Sequence, residues 1–325
     1  MGLRLRSRAS TIARGIRIKV TPRGKAPDIV VKDDSGATAV DDYWNHHTLH
    51  TRPFVSARES ERYLRKRNAD YPMFPELMDL YGDHAGEVVL DYGCGPGDDV
   101  TGFLLWSRAR KVIGMDVSGK ALGLLRHRLA LHHVDLGRVE LIRITDASGR
   151  IPLPDASVDW IQCGGVLHHT THPLEIVKEF ERVLKPGAEG RLMLYNRDSV
   201  MYHVWIAYAQ LILHNAFPGL SVDQAFTKST DGPDCPVSDA WAPDRALEML
   251  REARLEGTFR GGYVSVLELD WLKRYGPRAL MEPRLAEEHR LFISELRQDD
   301  QGLPVWQGRH AGIGGVYTIK KPTLP

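Results

Sequence analysis

The sequence predicts an α/β fold: a doubly wound, mostly parallel sheet with a basic N-terminal arm and a helical insertion after the fifth strand. Three observations carry that reading. Between Glu87 and Tyr195, short apolar runs ending in an acid or a small residue alternate with helical stretches. Beyond Tyr195 the alternation stops and an aromatic-rich segment takes over. Residues 1–27 hold Arg4, Arg6, Arg8, Arg14, Arg17, Lys19, Arg23 and Lys25, and no acid precedes Asp28.

The arm comes first. It adds +8 to a chain whose formal charge is +1, so residues 28–325 sum to −7. Such a segment reads as a partly ordered solvated tail over residues 1–40, as a peripheral contact for an anionic surface, or as an acid-poor transit peptide. The 325 residues are ample for one domain, expected over 41–325. No run approaches the ~20 apolar residues of a membrane span. Three scattered cysteines, Cys94, Cys163 and Cys235, with no Cys-x-x-Cys, fit a reducing compartment without a disulfide framework or thiolate zinc site. The cytoplasm is the expected location, with organelle import as the alternative if the arm is a transit peptide.

After the arm, Ser56 to Asn68 and Pro75 to Tyr81 read as helices. The strands of the alternating region are expected at Val88–Asp91, Lys111–Asp116, Val139–Ile144, Val158–Cys163 and Gly190–Tyr195. Helices are expected at Val100–Ala109, Gly119–His133 and Pro173–Leu184, the last stopped by Lys185-Pro186-Gly187. This spacing gives a parallel sheet covered on both faces, a cofactor-binding core over 85–197. Past it, Ser199–Ala216 reads as a helix, Ser229–Pro243 as a solvated loop and Asp244–Leu255 as an amphipathic helix. Strands are expected at Tyr263–Leu269 and Gly315–Lys320, with a charged helical stretch between them. The insertion over about 198–300 and a closing strand over about 312–321 complete the domain.

The turn after the first strand of this region, "DYGCGPGDD", identifies a ligand site. Glycine there lets the backbone turn tightly and approach a ligand without a Cβ in the way. A dinucleotide fingerprint would be G-x-G-x-x-G. Here Gly93, Gly95 and Gly97 bring the third glycine one place early, and Asp98 and Asp99 follow. A diphosphate at that helix start would meet two carboxylates, so NAD and FAD are disfavoured; the acids instead suit helix capping or a ligand bearing a positive charge. Asp116, ending the next strand, suits the two hydroxyls of a ribose. Asp146-Ala147 stands where an acid can receive an adenine amino group. An adenosyl ligand with a cationic tail and no phosphate satisfies all three positions.

"VLDYGCGPGDD", "VIGMDVS", "TDASGRIPLPDASVDWIQCGGVLHHTTHP" and "EFERVLKPGAEGRLMLYN" together resemble successive motifs of class I S-adenosylmethionine-dependent methyltransferases. The likeness is to the group that includes quinone-biosynthesis, natural-product and sugar enzymes, and covers about residues 85–197. It implies a Rossmann-like fold with S-adenosyl-L-methionine as cofactor. By that resemblance Gly93, Cys94, Gly95 and Gly97 line the methionyl moiety, with Asp91 near its ammonium. Asp116 holds the ribose beside Val117, Asp146 and Ala147 contact adenine, and Cys163 and Gly164 lie beside the sulfonium.

Methyl transfer needs a nucleophile held in line with the departing sulfur, and a base only where the acceptor must lose a proton early. His168 and His169 are candidates for that base, and a structural "GVLHH" turn is the alternative reading. Tyr195 and His203, with Tyr202, form the second set, against which stands simple core packing. Tyr43 and Trp44 could close over the cofactor. The clusters His46-His47-His50 and His168-His169-His172 lack a carboxylate at ligand spacing, so no metal is expected. The expected partner is a small-molecule acceptor, a sugar or secondary metabolite methylated on a hydroxyl. An RNA or protein enzyme docked through the arm is the alternative, which the −7 body and the absence of an Asn-Pro-Pro-Tyr-like sequence disfavour. A catalytically idle cofactor-binding subunit is the remaining reading. Nothing in the residues decides between a monomer and a homodimer.

Overall fold

The computed structural model describes residues 24–32, 36–49 and 52–323. The arm over residues 1–23 and His50 therefore lie outside the described residues. The strands are β1 (Ile29–Val31), β2 (Val88–Tyr92), β3 (Lys111–Asp116), β4 (Val139–Arg143), β5 (Val158–Gly164), β6 (Leu184–Tyr195), β7 (Glu256–Tyr263), β8 (Arg297–Gln298), β9 (Pro304–Trp306), β10 (Arg309–His310) and β11 (Gly314–Lys320). Eight of them form one sheet in the order β1-β4-β3-β2-β5-β6-β11-β7. Strands β1 to β6 run parallel, and β11 lies antiparallel between β6 and β7.

The helices are α1 (Ala39–His46), α2 (Ala57–Asp70), α3 (Phe74–Leu77), α4 (Asp98–Trp106), α5 (Gly119–Leu131), α6 (Pro173–Val183), α7 (Val222–Thr230), α8 (Pro243–Glu252), α9 (Val266–Leu280) and α10 (Glu287–Glu295), with a π-helix over Met201–Leu213. Strand periodicity sends alternate β2 side chains to opposite faces. Val88, Leu90 and Tyr92 join one core with Ile176, Val177 and Phe180 of α6. Val89 joins the other with Phe103 of α4 and Leu122, Leu125 and Leu129 of α5. Each such aliphatic side chain contributes roughly 1.5–3 kcal/mol by leaving water. The doubly wound reading is what the sheet displays.

The chain moves outward from β2 through β3 to β4, then returns to start β5 on the opposite side of β2. The carboxyl ends of β2 and β5 thus flank the point where strand order reverses, the place where open α/β sheets bind ligands.

Several local expectations are corrected. The strand expected at Tyr263–Leu269 is instead the end of β7 followed by α9. Ser265 caps that helix and Glu268 returns the bond to the Ser265 N–H, a reciprocal capping box. Glu268 Oε1 also accepts from the Met201 N–H at 3.1 Å and Oε2 from the Ile313 N–H at 3.2 Å. One buried carboxylate therefore ties α9, the π-helix and β11 together. The loop expected from Ser229 begins only after α7, itself started by a Ser221–Gln224 capping box. Strand β6 begins at Leu184, six residues early, because Leu184 already pairs with Val158. Within the stretch read as the basic arm, Ile29–Val31 pairs with Leu141–Arg143 as an edge strand.

Candidate active site

A cavity of about 620 Å³ opens at the switch point. Its floor is the turn after β2. Gly93, Gly95 and Gly97 all have positive φ, at 74°, 53° and 81°. Two of them are fixed by packing: a Cβ on Gly93 would lie 2.2 Å from Val166, and one on Gly97 would lie 2.0 Å from Leu125. Gly95 differs, because its missing Cβ would project into open space. Gly95 also lines the cavity, so that space is open on the cavity side of the turn.

Asp116 stands beside this turn. Its Oδ2 accepts from the Gly95 N–H and its Oδ1 from the Ser118 N–H, each at 2.7 Å. These bonds fix the carboxylate at the cavity wall and leave it lone pairs for ligand hydroxyls. Burial raises its pKa to about 6 against the lowering effect of those bonds. Asp91 lies deeper; it does not line the cavity, and its Oδ2 is buried with no hydrogen-bond partner. Burial first, then the Asp99 charge, push its carboxyl well up. The Asp91 carboxyl accepts from the Val100 N–H, so one of its oxygens alone lacks a partner beneath the glycine turn.

Asp98 and Asp99 play another part than the one expected of them. Both are buried, and neither lines the cavity. Asp98 pairs with the fully buried Arg128 of α5 at 2.5 Å, and Asp99 with Arg67 of α2 at 2.6 Å. Gln162 of β5 also donates to Asp99 at 3.3 Å. The two acids lock helices around the turn and are neutralised there. Among the described residues, the cavity lining has Asp116, Asp146 and Asp231 as its charged members and neither Lys nor Arg, a poor setting for a diphosphate.

Of the other expected cofactor residues, Val117, Asp146 and Gly164 line the cavity, whereas Cys94, Gly97, Ala147 and Cys163 do not. Cys94 packs beneath the turn and Cys163 is wholly buried in the sheet core. The Asp146 carboxylate accepts from Thr171 Oγ1 at 2.7 Å and from Thr170 Oγ1, and its N–H donates to Asp41 of α1 at 2.9 Å. Helix α1 thereby closes one side of the cavity, where Val40 and Trp44 line it. Tyr43 does not line it; its hydroxyl donates to the Asp231 carbonyl.

The candidate bases separate clearly. His169 lines the cavity, and its Nδ1 donates to the Val237 carbonyl at 2.8 Å, leaving Nε2 as the acceptor of the neutral ring. Nε2 is 3.7 Å from Asp231 Oδ2. Burial lowers the His169 pKa, and Asp231 partly opposes that. His168, by contrast, is 1% exposed and off the cavity. It accepts the Tyr195 N–H on Nδ1 and packs on the Tyr195 ring at 3.8 Å. Its ring is thus placed against Tyr195 and not at the cavity wall. His203 is also removed from the cavity, bonded to His289 at 2.8 Å and stacked on Phe292. Tyr195 lines the cavity, but burial and then the Asp231 carboxylate hold its phenol protonated, and it donates to Asp231 Oδ1 at 3.1 Å.

Asp231 is the residue that sequence reasoning missed. Read as part of a solvated acidic loop, it is held by Tyr195 and by Ser238 Oγ at 2.9 Å, in contact with the cavity. Its flanking Pro, Gly and Asp residues look like an exposed turn, and only the fold brings His169 to it. Among the described residues no three His, Cys, Asp or Glu side chains are grouped to hold a metal ion, and no helix is long and apolar enough to cross a membrane.

Comparison with known proteins supplies the context. Residues 90–192 match the family model of a methyltransferase domain. A ubiquinone biosynthesis O-methyltransferase of Pseudomonas paraeruginosa is 27% identical over 179 residues, 55% of this chain and 72% of that protein. An uncharacterized 37.1 kDa protein in transposon TN4556 of Streptomyces fradiae is 32% identical over 47% of this chain, and the match spans only 39% of that protein's length. A chain from the Haloferax volcanii complex between the Trm112 methyltransferase activator and a methyltransferase superposes with a TM-score of 0.52 at 13% identity, covering 88% of this chain and 99% of its own. That likeness concerns the fold.

Proposed function

We propose that this chain, whose residues 90–192 are a class I S-adenosylmethionine-dependent methyltransferase domain, methylates a hydroxyl oxygen of a small-molecule acceptor. S-adenosylmethionine supplies the methyl group on a sulfonium. The observation that carries the reading is one continuous cavity lined by Gly95, Asp116, His169 and Asp231. Gly93, Gly95 and Asp116 hold the adenosyl and methionyl parts, with Asp91 beneath the ammonium. His169 takes the acceptor proton, Asp231 stabilises the imidazolium so formed, and Tyr195 and Ser238 orient Asp231.

An RNA acceptor docked through the basic arm is the second reading, and the cavity disfavours it. A phosphate backbone would have to approach three carboxylates with no Lys or Arg beside them among the described lining residues. Calorimetry with S-adenosylhomocysteine and with NAD tests the cofactor: only the first should bind. At 100 times its dissociation constant it should add about 2.7 kcal/mol of apparent stability. Removing residues 1–23 should leave turnover of a small acceptor unchanged. Loss of turnover there, or binding of NAD alone, would overturn the proposal.

A further inference from the structure

The acceptor side of the cavity has a character that narrows the substrate. Met193, Met201, Trp205, Tyr263 and Trp271 line it, and Leu267 reaches its mouth with 58% of its surface exposed. Trp205 of the π-helix and Trp271 of α9 lie parallel, with centroids 4.5 Å apart and planes 8° from each other. Tyr263, also in the lining, meets Phe74 and Tyr71 edge-on, at 4.8 and 5.6 Å. Such rigid, flat and polarizable walls favour a flat apolar body over a hydrated one. Among the described lining residues no cation offsets an acceptor's negative charge, and Asp116, Asp146 and Asp231 would repel it.

We infer that the acceptor is an uncharged phenol, an aromatic ring bearing the hydroxyl to be methylated, rather than a sugar or an anionic metabolite. This rests on the methyltransferase reading given above. The acceptor O–H bond breaks with its proton passing to His169 Nε2, and the oxygen's electron pair forms the new O–CH₃ bond as the C–S bond breaks and its pair stays on sulfur. The proton is then released to water. Proton affinity points the same way. Burial holds the His169 imidazole below its ordinary pKa, so it is a weak base. A phenol near pKa 10 asks far less of it than an aliphatic hydroxyl, whose acidity is nearer that of water at about 15.7. The difference of roughly five to six units is too large for a weakened imidazole to ignore.

The test uses the full chain with three probes: 2-naphthol, 6-hydroxy-2-naphthoate and methyl α-glucopyranoside. S-adenosylhomocysteine binding is measured first, so that failure of the methyltransferase reading shows as loss of that binding. In protein that binds it, 2-naphthol should bind the complex by calorimetry and yield its methyl ether in the presence of S-adenosylmethionine. The carboxylate analogue should fall at least 30-fold in kcat/KM, and the glucoside should give no product. Trp271→Ala should raise KM for 2-naphthol about tenfold with S-adenosylhomocysteine affinity unmoved. Trp271→Arg should narrow the gap between the two naphthols about tenfold, a gain that misfolding cannot mimic. Preference for the carboxylate or the glucoside, or no binding of 2-naphthol to a complex that holds S-adenosylhomocysteine, would overturn the inference.

Discussion

His169 Nε2 and Asp231 Oδ2 face each other across 3.7 Å, too far for a direct hydrogen bond and close enough for the carboxylate to stabilise a charged imidazole. They come from the loop after β5 and the loop after α7, 62 positions apart in the chain. The Val237 carbonyl fixes the imidazole tautomer that leaves Nε2 free to take a proton. Replacing His169 with Ala should cost about 10²-fold or more in kcat. Binding of S-adenosylhomocysteine should remain. Asp231→Asn keeps the contacts to Tyr195 and Ser238 but removes the charge that raises the His169 pKa. The acid limb of its pH–rate profile should therefore move to lower pH. An unmoved limb would separate Asp231 from the chemistry.

Asp116 should make cofactor affinity depend on pH. Burial raises its pKa to about 6 in the free protein. Ribose hydroxyls donate more strongly to a carboxylate than to a carboxylic acid, so the ionised form binds more tightly. Affinity for S-adenosylhomocysteine should be flat above pH 7 and fall below pH 6, by up to about tenfold per unit. Calorimetry between pH 5 and 8 measures it. Asp116→Asn should bind weakly across the whole range, with the slope gone.

The buried pair Arg128–Asp98 should behave as a structural lock. Arg128 is wholly buried and also donates to Ser60 Oγ at 2.7 Å, so it fastens α5 to both α4 and α2. Removing one partner strands the other charge in the core. Arg128→Met or Asp98→Asn should each destabilise by about 3–5 kcal/mol, read from urea unfolding. The double variant should recover part of that loss. Additive losses would mean the pair carries no mutual dependence.

How far the residues alone reveal this molecule depends on the range of the interactions. The parallel core was legible because each strand-helix repeat is written locally, in apolar runs such as "VVLDY" and in the turns that end them. Gly95 and Asp116 meet at the cavity wall, and their types and spacing follow from one turn and one strand end. Two errors were also local. Ser265 and Ser221 begin helices with capping boxes at Glu268 and Gln224, and the three-residue spacing was present to be read. At Tyr263–Leu269 an apolar-rich run was given a strand's period instead. Asp231 is different in kind: nothing near it in sequence distinguishes it from a solvated acid. The burial of Asp98 and Asp99 was equally hidden, since Arg67 and Arg128 sit about thirty residues away on either side.

Gly95 and Gly97 make the sharpest comparison, because the same substitution should fail for opposite reasons. Both have left-handed φ, so a Cβ at either costs about 1–2 kcal/mol of backbone strain. At Gly97 the Cβ would also lie 2.0 Å from Leu125 Cδ1 in the packed face beneath the turn. Gly97→Ala should add an overpacking cost of about 1–3 kcal/mol and lower the unfolding midpoint markedly. At Gly95 no protein atom lies within 4 Å of the added methyl, so the strain should be the whole cost to folding. The methyl projects on the cavity side instead. Gly95→Ala should lower the urea midpoint only by what that strain costs, less than Gly97→Ala does, while S-adenosylhomocysteine affinity falls at least tenfold. A Gly95→Ala protein that binds as tightly as the parent would show that the ligand does not rest on this turn. Asp116 would then have lost the neighbour that makes it a ribose site.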